Sequence, residues 1–175
     1  MNKKFEDIFK TLKLNNNMMM FFNNTIVSKI SANRANTRIR INIESDHIIE
    51  KKYCYALERE IKNQLFKNDS VEIIVSESFR LSKAYTPKEI IEAYRDSILT
   101  ELKHAGYIEY MIFKNARFRF DDGNVTLMLE DTFITHEKTD NIVLFLEKIL
   151  KDRCHIDTYI IVEYFKPEAR RNKAF

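Results

Sequence analysis

Four arginines recur at alternate positions in two similar hexapeptides: Arg38 and Arg40 in NTRIRI, and Arg117 and Arg119 in NARFRF. A guanidinium is a planar fork of donors that matches phosphate oxygens, so such rows are candidate contacts to a nucleic-acid backbone. Alternation also has a simpler meaning, in which the arginines face solvent while Ile or Phe faces a helix. Acids fall in two adjacent pairs, Asp121–Asp122 and Glu130–Asp131. Paired carboxylates can ligate a metal in nuclease-like sites, yet a turn and a strand end account for these two pairs. His47, His104, His136 and His155 keep no ligand spacing with one another. Cys154 and His155, as neighbours on a strand, would point to opposite faces, which suits a single metal poorly. No serine, cysteine or lysine has a recognisable activating partner. The residue types predict no catalytic group, no metal site and no cofactor.

Glycine usage narrows the choices further. The chain has only Gly106 and Gly123. Phosphate-cradling loops, dinucleotide fingerprints and the GXXG clamp of nucleic-acid-binding KH domains all need closely spaced glycines, which let phosphate approach main-chain N–H groups. None of these can be built here, and no small-molecule substrate is expected.

Charge is nearly balanced, with 29 basic and 26 acidic side chains in 175 residues. Residues 1–80 hold 14 basic against 10 acidic groups, and residues 81–175 hold 15 against 16. Such a chain predicts at most weak attraction to DNA. Cys54 and Cys154 lie far apart, as expected of reduced thiols in a cytoplasmic protein. No apolar run approaches the roughly 18 residues of a spanning helix, and the N-terminus lacks the apolar stretch of a secretory leader. No membrane association is expected.

The elements that must position these residues follow from periodicity. Phe5, Ile8, Phe9 and Leu12 fall at i, i+3, i+4 and i+7, which predicts an amphipathic helix over 2–12. NNNMMMFFNN, residues 15–24, predicts a linker, since Asn competes for backbone hydrogen bonds. Its apolar centre either packs on the protein itself or meets a partner. Phe5, Phe9, Met19, Met20, Phe21 and Phe22 are therefore the candidate partner contacts.

TIVSKISA and TRIRINIES alternate with period two and predict a hairpin around NRAN. Asp46 is placed to cap a long helix carrying Ile49, Tyr53, Leu57, Ile61 and Leu65. VEIIVSES predicts the next strand. Thr86-Pro87 with Glu89 predicts a capping box and a new helix, whose stripe is Ile91, Tyr94, Ile98 and Leu102, ending at Gly106. YIEYMIFK, read as a helix in preference to a strand, precedes a hairpin turning at Asp122-Gly123. A helix over 135–151 and a strand in HIDTYIIVEYF close the chain.

Helix, strand, strand, helix, strand therefore occurs twice. The fold class predicted is α+β, with two small KH-like units of type II order in tandem. The expected division is an N-terminal helix and linker over 1–24, a first unit over 25–80 and a second over 81–175.

LSKAYTPKEIIEAYRDSILTELK, GNVTLMLEDTF and IDTYIIVEYFKPEA together resemble the N-terminal region of PolC-type DNA polymerase III, the replicative polymerase of low-GC Gram-positive bacteria. The resemblance extends from about Thr25 onward. It implies a role in bacterial DNA replication, as a non-catalytic region of a polypeptide whose polymerase and 3′–5′ exonuclease chemistry lies elsewhere. The ending EARRNKAF fits a cut within that longer polypeptide. The region is also similar to the polymerase-binding domain of the clamp-loader tau subunit. This implies protein contacts in the replisome, with the tau subunit or the helicase as partner. The alternative is a KH-like nucleic-acid-binding module that lacks the GXXG loop.

Overall fold

The structure is a computed structural model that describes residues 2–81, 84–121 and 123–166. It is a mixed α+β arrangement with two small sheets.

The first sheet is built on the hairpin of β2 (Ile26–Ala32) and β3 (Arg38–Ser45), paired so that Ile30 faces Ile41 and Ala32 faces Ile39. The connection is held by Asn33, whose Oδ1 accepts from the N–H groups of Thr37 at 2.9 Å and Arg38 at 3.0 Å. Asn36 takes a left-handed φ of 53°, a conformation asparagine tolerates. Helix α3 (Lys51–Leu65) then crosses over to β4 (Glu72–Phe79), which runs parallel to β3. It buries Cys54, Leu57 and Ile61. It begins at Lys51 with Glu50 as its cap residue, whereas Asp46, the expected cap, instead bonds the neighbouring His47 ring at 2.8 Å.

The N-terminus departs from expectation. The predicted helix over 2–12 is β1 (Lys3–Lys4), paired with β2, followed by one helical turn, α1 (Phe5–Ile8). The expected linker contains a helix, α2 (Asn16–Phe22), capped by the Asn15 side chain accepting from Met18 N–H at 3.0 Å. Phe5, Met18 and Phe22 are buried, so β1 extends the first sheet while α1 and α2 pack into its core.

Helix α4 (Pro87–Ala105) starts as expected. Thr86 Oγ1 accepts from Glu89 N–H at 3.2 Å, and the Glu89 carboxylate accepts from Thr86 N–H at 2.8 Å. After Gly106 comes α5 (Tyr107–Asn115), helical as read. The second hairpin joins β5 (Arg117–Asp121) to β6 (Asn124–Glu130), with Gly123 at φ +82° in the turn. Helix α6 (Phe133–Glu147) widens into a π-helical turn (Lys148–Arg153) before β7 (Ile160–Phe165) pairs parallel to β6. Both sheets thus place an antiparallel hairpin beside a parallel strand, in the orders β1-β2-β3-β4 and β5-β6-β7.

The two sheets share one core. Helix α4 buries Ile90, Ile91, Tyr94, Ile98 and Leu102, a broader face than the single stripe expected. It packs on α3 on one side and on α5 and β6 on the other, so buried side chains from Phe5 to Cys154 form one cluster.

Candidate functional site

Three of the four candidate arginines are already engaged. Arg38 Nε pairs with Glu72 at 2.6 Å across the β3–β4 ladder. Arg119 contacts Asp121 at 2.9 Å and makes a two-pronged pair with Glu163 at 2.7 and 3.1 Å. The Arg117 guanidinium lies 4.6 Å from the centre of the Phe165 ring. Arg40 forms no ion pair among the described residues. Arg38 and Arg40 belong to one sheet and Arg117 and Arg119 to the other, so the four do not share a strand row.

The remaining polar candidates are dispersed. Asp131 bonds His136 Nε2 at 2.8 Å, His155 Nε2 lies 3.1 Å from Ser78 Oγ, and His104 packs on the Tyr55 ring. Asp122 lies outside the described residues. No cluster of three metal-ligating side chains occurs among the described residues. Cys54 is buried and its thiol is pushed well above its ordinary range by that burial. Cys154 is pushed up to about 11 for the same reason. Both are poor nucleophiles.

Of the N-terminal candidate contacts, Phe5 and Phe22 are core residues rather than surface ones. Phe9 is half-buried beside Phe5, with ring centres 4.8 Å apart, and Phe21 stacks on Tyr53 at 4.2 Å. Only Met19 and Met20 are exposed.

The structure brings together residues that sequence reasoning missed. Beside β4 lies a polar cleft of about 760 Å³, whose lining includes Arg40, Lys51, Glu77, Glu101 and Arg153. At its floor Glu77 Oε2 accepts from Lys51 Nζ at 2.8 Å, while Oε1 accepts from Tyr94 Oη at 2.8 Å and Arg153 Nη1 at 2.9 Å. Arg153 Nη2 also donates to Glu101 at 2.7 Å. Burial alone would raise the Glu77 carboxyl, but Lys51 and Arg153 outweigh it and hold it below its ordinary value. Burial pushes the Tyr94 hydroxyl far up, and Glu77 adds to this. A carboxylate kept ionised and saturated with donors cannot take a proton from a substrate, so this cluster is built to hold the halves together. The lining carries five carboxylates against four lysine or arginine side chains, which suits a phosphate backbone poorly.

A sequence signal for Glu77 did exist. In VEIIVSESF it shares strand parity with Ile73, Val75 and Phe79, which places a carboxylate on the buried face.

The second feature is apolar. Tyr107, Ile108 and Met111 of α5, together with Ile134 at the start of α6, border a groove of about 320 Å³, and all four are exposed. Phe133 beside them is 77% exposed. Helix α5 buries Phe113 yet also shows apolar side chains to solvent, which a one-sided surface helix does not do.

Residues 4–75 match the family model for the DNA polymerase III polC-type N-terminus I. The similarity is to that family's segment and covers less than half of the chain. The match covers α1, α2, β2, β3, α3 and the first half of β4, and the matched family implies a DNA replication context. No curated protein matches the chain. Among the described residues no helix is long and apolar enough to cross a membrane.

Proposed function

We propose that this chain is a non-catalytic docking module of a PolC-type polymerase, and that it seats a replisome protein in the α5–α6 groove. The observation that carries this reading is the exposed set Tyr107, Ile108, Met111 and Ile134 lining one groove, with exposed Phe133 next to Ile134 in the chain, since clustered exposed apolar side chains mark interaction surfaces. Met111 and the aromatic rings suit a surface that adapts to a partner. The shared hairpin-plus-parallel-strand wiring supports two KH-like units as its scaffold. The partners to test first are the clamp-loader tau subunit and the helicase. DNA contact is secondary, resting on Arg40 alone among the candidate arginines.

Titration calorimetry of the whole chain against both proteins tests the reading. The expected result is binding to one of them, weakened on the order of tenfold or more by Ile108→Asp or Ile134→Asp. Both sites are exposed, so the fold is retained. Binding to neither protein, or binding that ignores both substitutions, overturns the proposal. DNA affinity that is steep in salt and lost with Arg40→Ala would favour the nucleic-acid reading instead.

A further inference from the structure

Each sheet ends in a parallel strand with an open edge, β4 in one and β7 in the other. In a parallel ladder alternate residues turn both N–H and C=O toward the neighbouring strand, and the rest turn outward. Glu72 N–H donates to Thr37 and Arg80 N–H to Ser45, so Ile73, Val75 and Glu77 face outward on β4. The central one is closed by side chains. Val75 N–H donates to Glu58 Oε1 at 2.8 Å, and Val75 C=O accepts from Lys51 Nζ at 3.4 Å. Charged side chains laid over an edge in this way block further strand pairing.

Among the described residues the β7 edge has no such guard. Tyr159 C=O accepts from Val125 N–H at 3.0 Å and Phe165 C=O from Asp131 N–H at 2.8 Å, so odd-numbered residues face β6. The main-chain groups of Ile160, Val162 and Tyr164 therefore face outward, and no hydrogen bond to them occurs among the described residues. The strand is apolar and well displayed, with Ile161 50% and Tyr164 39% exposed.

We propose that β7 pairs antiparallel with β7 of a second copy of this chain, about a two-fold axis at Val162. Three outward residues spaced evenly around Val162 are self-complementary, as a two-fold interface requires. Val162 meets its own counterpart and Ile160 meets Tyr164, each pair exchanging two main-chain hydrogen bonds. The same register sets Ile161 opposite Glu163. The two Glu163 carboxylates are thus not directly opposed, and each is already paired with Arg119 at 2.7 Å. An axis at Glu163 would oppose like charges, and one at Ile161 would leave the Tyr164 main chain unpaired.

Sedimentation velocity on the full chain from about 1 µM to about 1 mM tests this, with amide exchange read in parallel. The expected result is a reversible dimer, with the amides of Ile160, Val162 and Tyr164 gaining protection as concentration rises. Val162→Pro removes the donor at the axis and should raise the dimer Kd by at least about tenfold. Because proline also perturbs the strand itself, Ile161→Glu and Ile161→Lys serve as a second pair. The glutamate, facing Glu163, weakens the dimer, whereas the lysine retains it; a purely structural role for Ile161 would not separate them. A monomer at every concentration, a dimer insensitive to these substitutions, or a monomer whose three outward amides are always protected overturns the proposal.

Discussion

Glu77 is the residue on which most of the buried polar chemistry converges. Its side chain is fully buried and accepts from Lys51, Tyr94 and Arg153. Replacing it with glutamine keeps the shape but leaves buried Lys51 without its counter-charge and Arg153 with Glu101 alone. Removing one partner of a buried pair typically costs about 3–5 kcal/mol, and Glu77→Gln is expected to lower the unfolding free energy in urea by that much. The same site sets a pH window. Glu77 is held below its ordinary 4.5, so its contribution is complete above that pH and is lost as pH falls through the lower folded value. Burial would lower the Lys51 ammonium, but Glu77 outweighs this and raises it above 10.5, so its contribution is complete below that pH and is lost as pH rises beyond it. Midpoints measured across pH should therefore form a plateau between these limits, and Glu77→Gln should flatten the acid side.

At the scale of elements, what was legible in the sequence is what is local. The capping box at Thr86 is satisfied within four residues, and Thr86→Ala is expected to cost about 1 kcal/mol while Thr86→Asp restores most of it, read as shifts of the urea midpoint. The hairpins were legible too, because alternation and turn residues specify them without distant partners. The N-terminus was harder. Spacing of Phe5, Ile8, Phe9 and Leu12 reports which side chains seek the core, and here the backbone satisfies that with one turn rather than three. Short helices depend on tertiary packing, which no periodicity shows. Asn15 illustrates how one chemistry serves two ends: the side chain that suggested a linker is the cap that starts α2. The Glu77 cluster joins residues 26 and 76 positions apart in the chain, so only the parity of Glu77 on its strand hinted at it.

For the whole molecule, the repeated wiring suggests two units, but the contacts between them are those of a single core. Lys51 N–H donates to Ser97 Oγ at 3.0 Å, and Arg153, the last residue of the π-helical turn, reaches back to Glu77 of the first sheet. Apolar packing of α4 on both sides adds to these links. Halves joined by a shared helix and a buried ion cluster have no separate reason to remain folded alone, so they should open together. Native-state hydrogen exchange can read this from the central strands, β3 in one sheet and β6 in the other. In the intact chain their slowest amides should exchange with the same free energy. Glu77→Gln, although it lies in the first sheet, should lower both equally. Were β3 alone to lose protection, the sheets would be independent folding units that merely touch. An equal fall would show that the sequence repeats a pattern without repeating a domain.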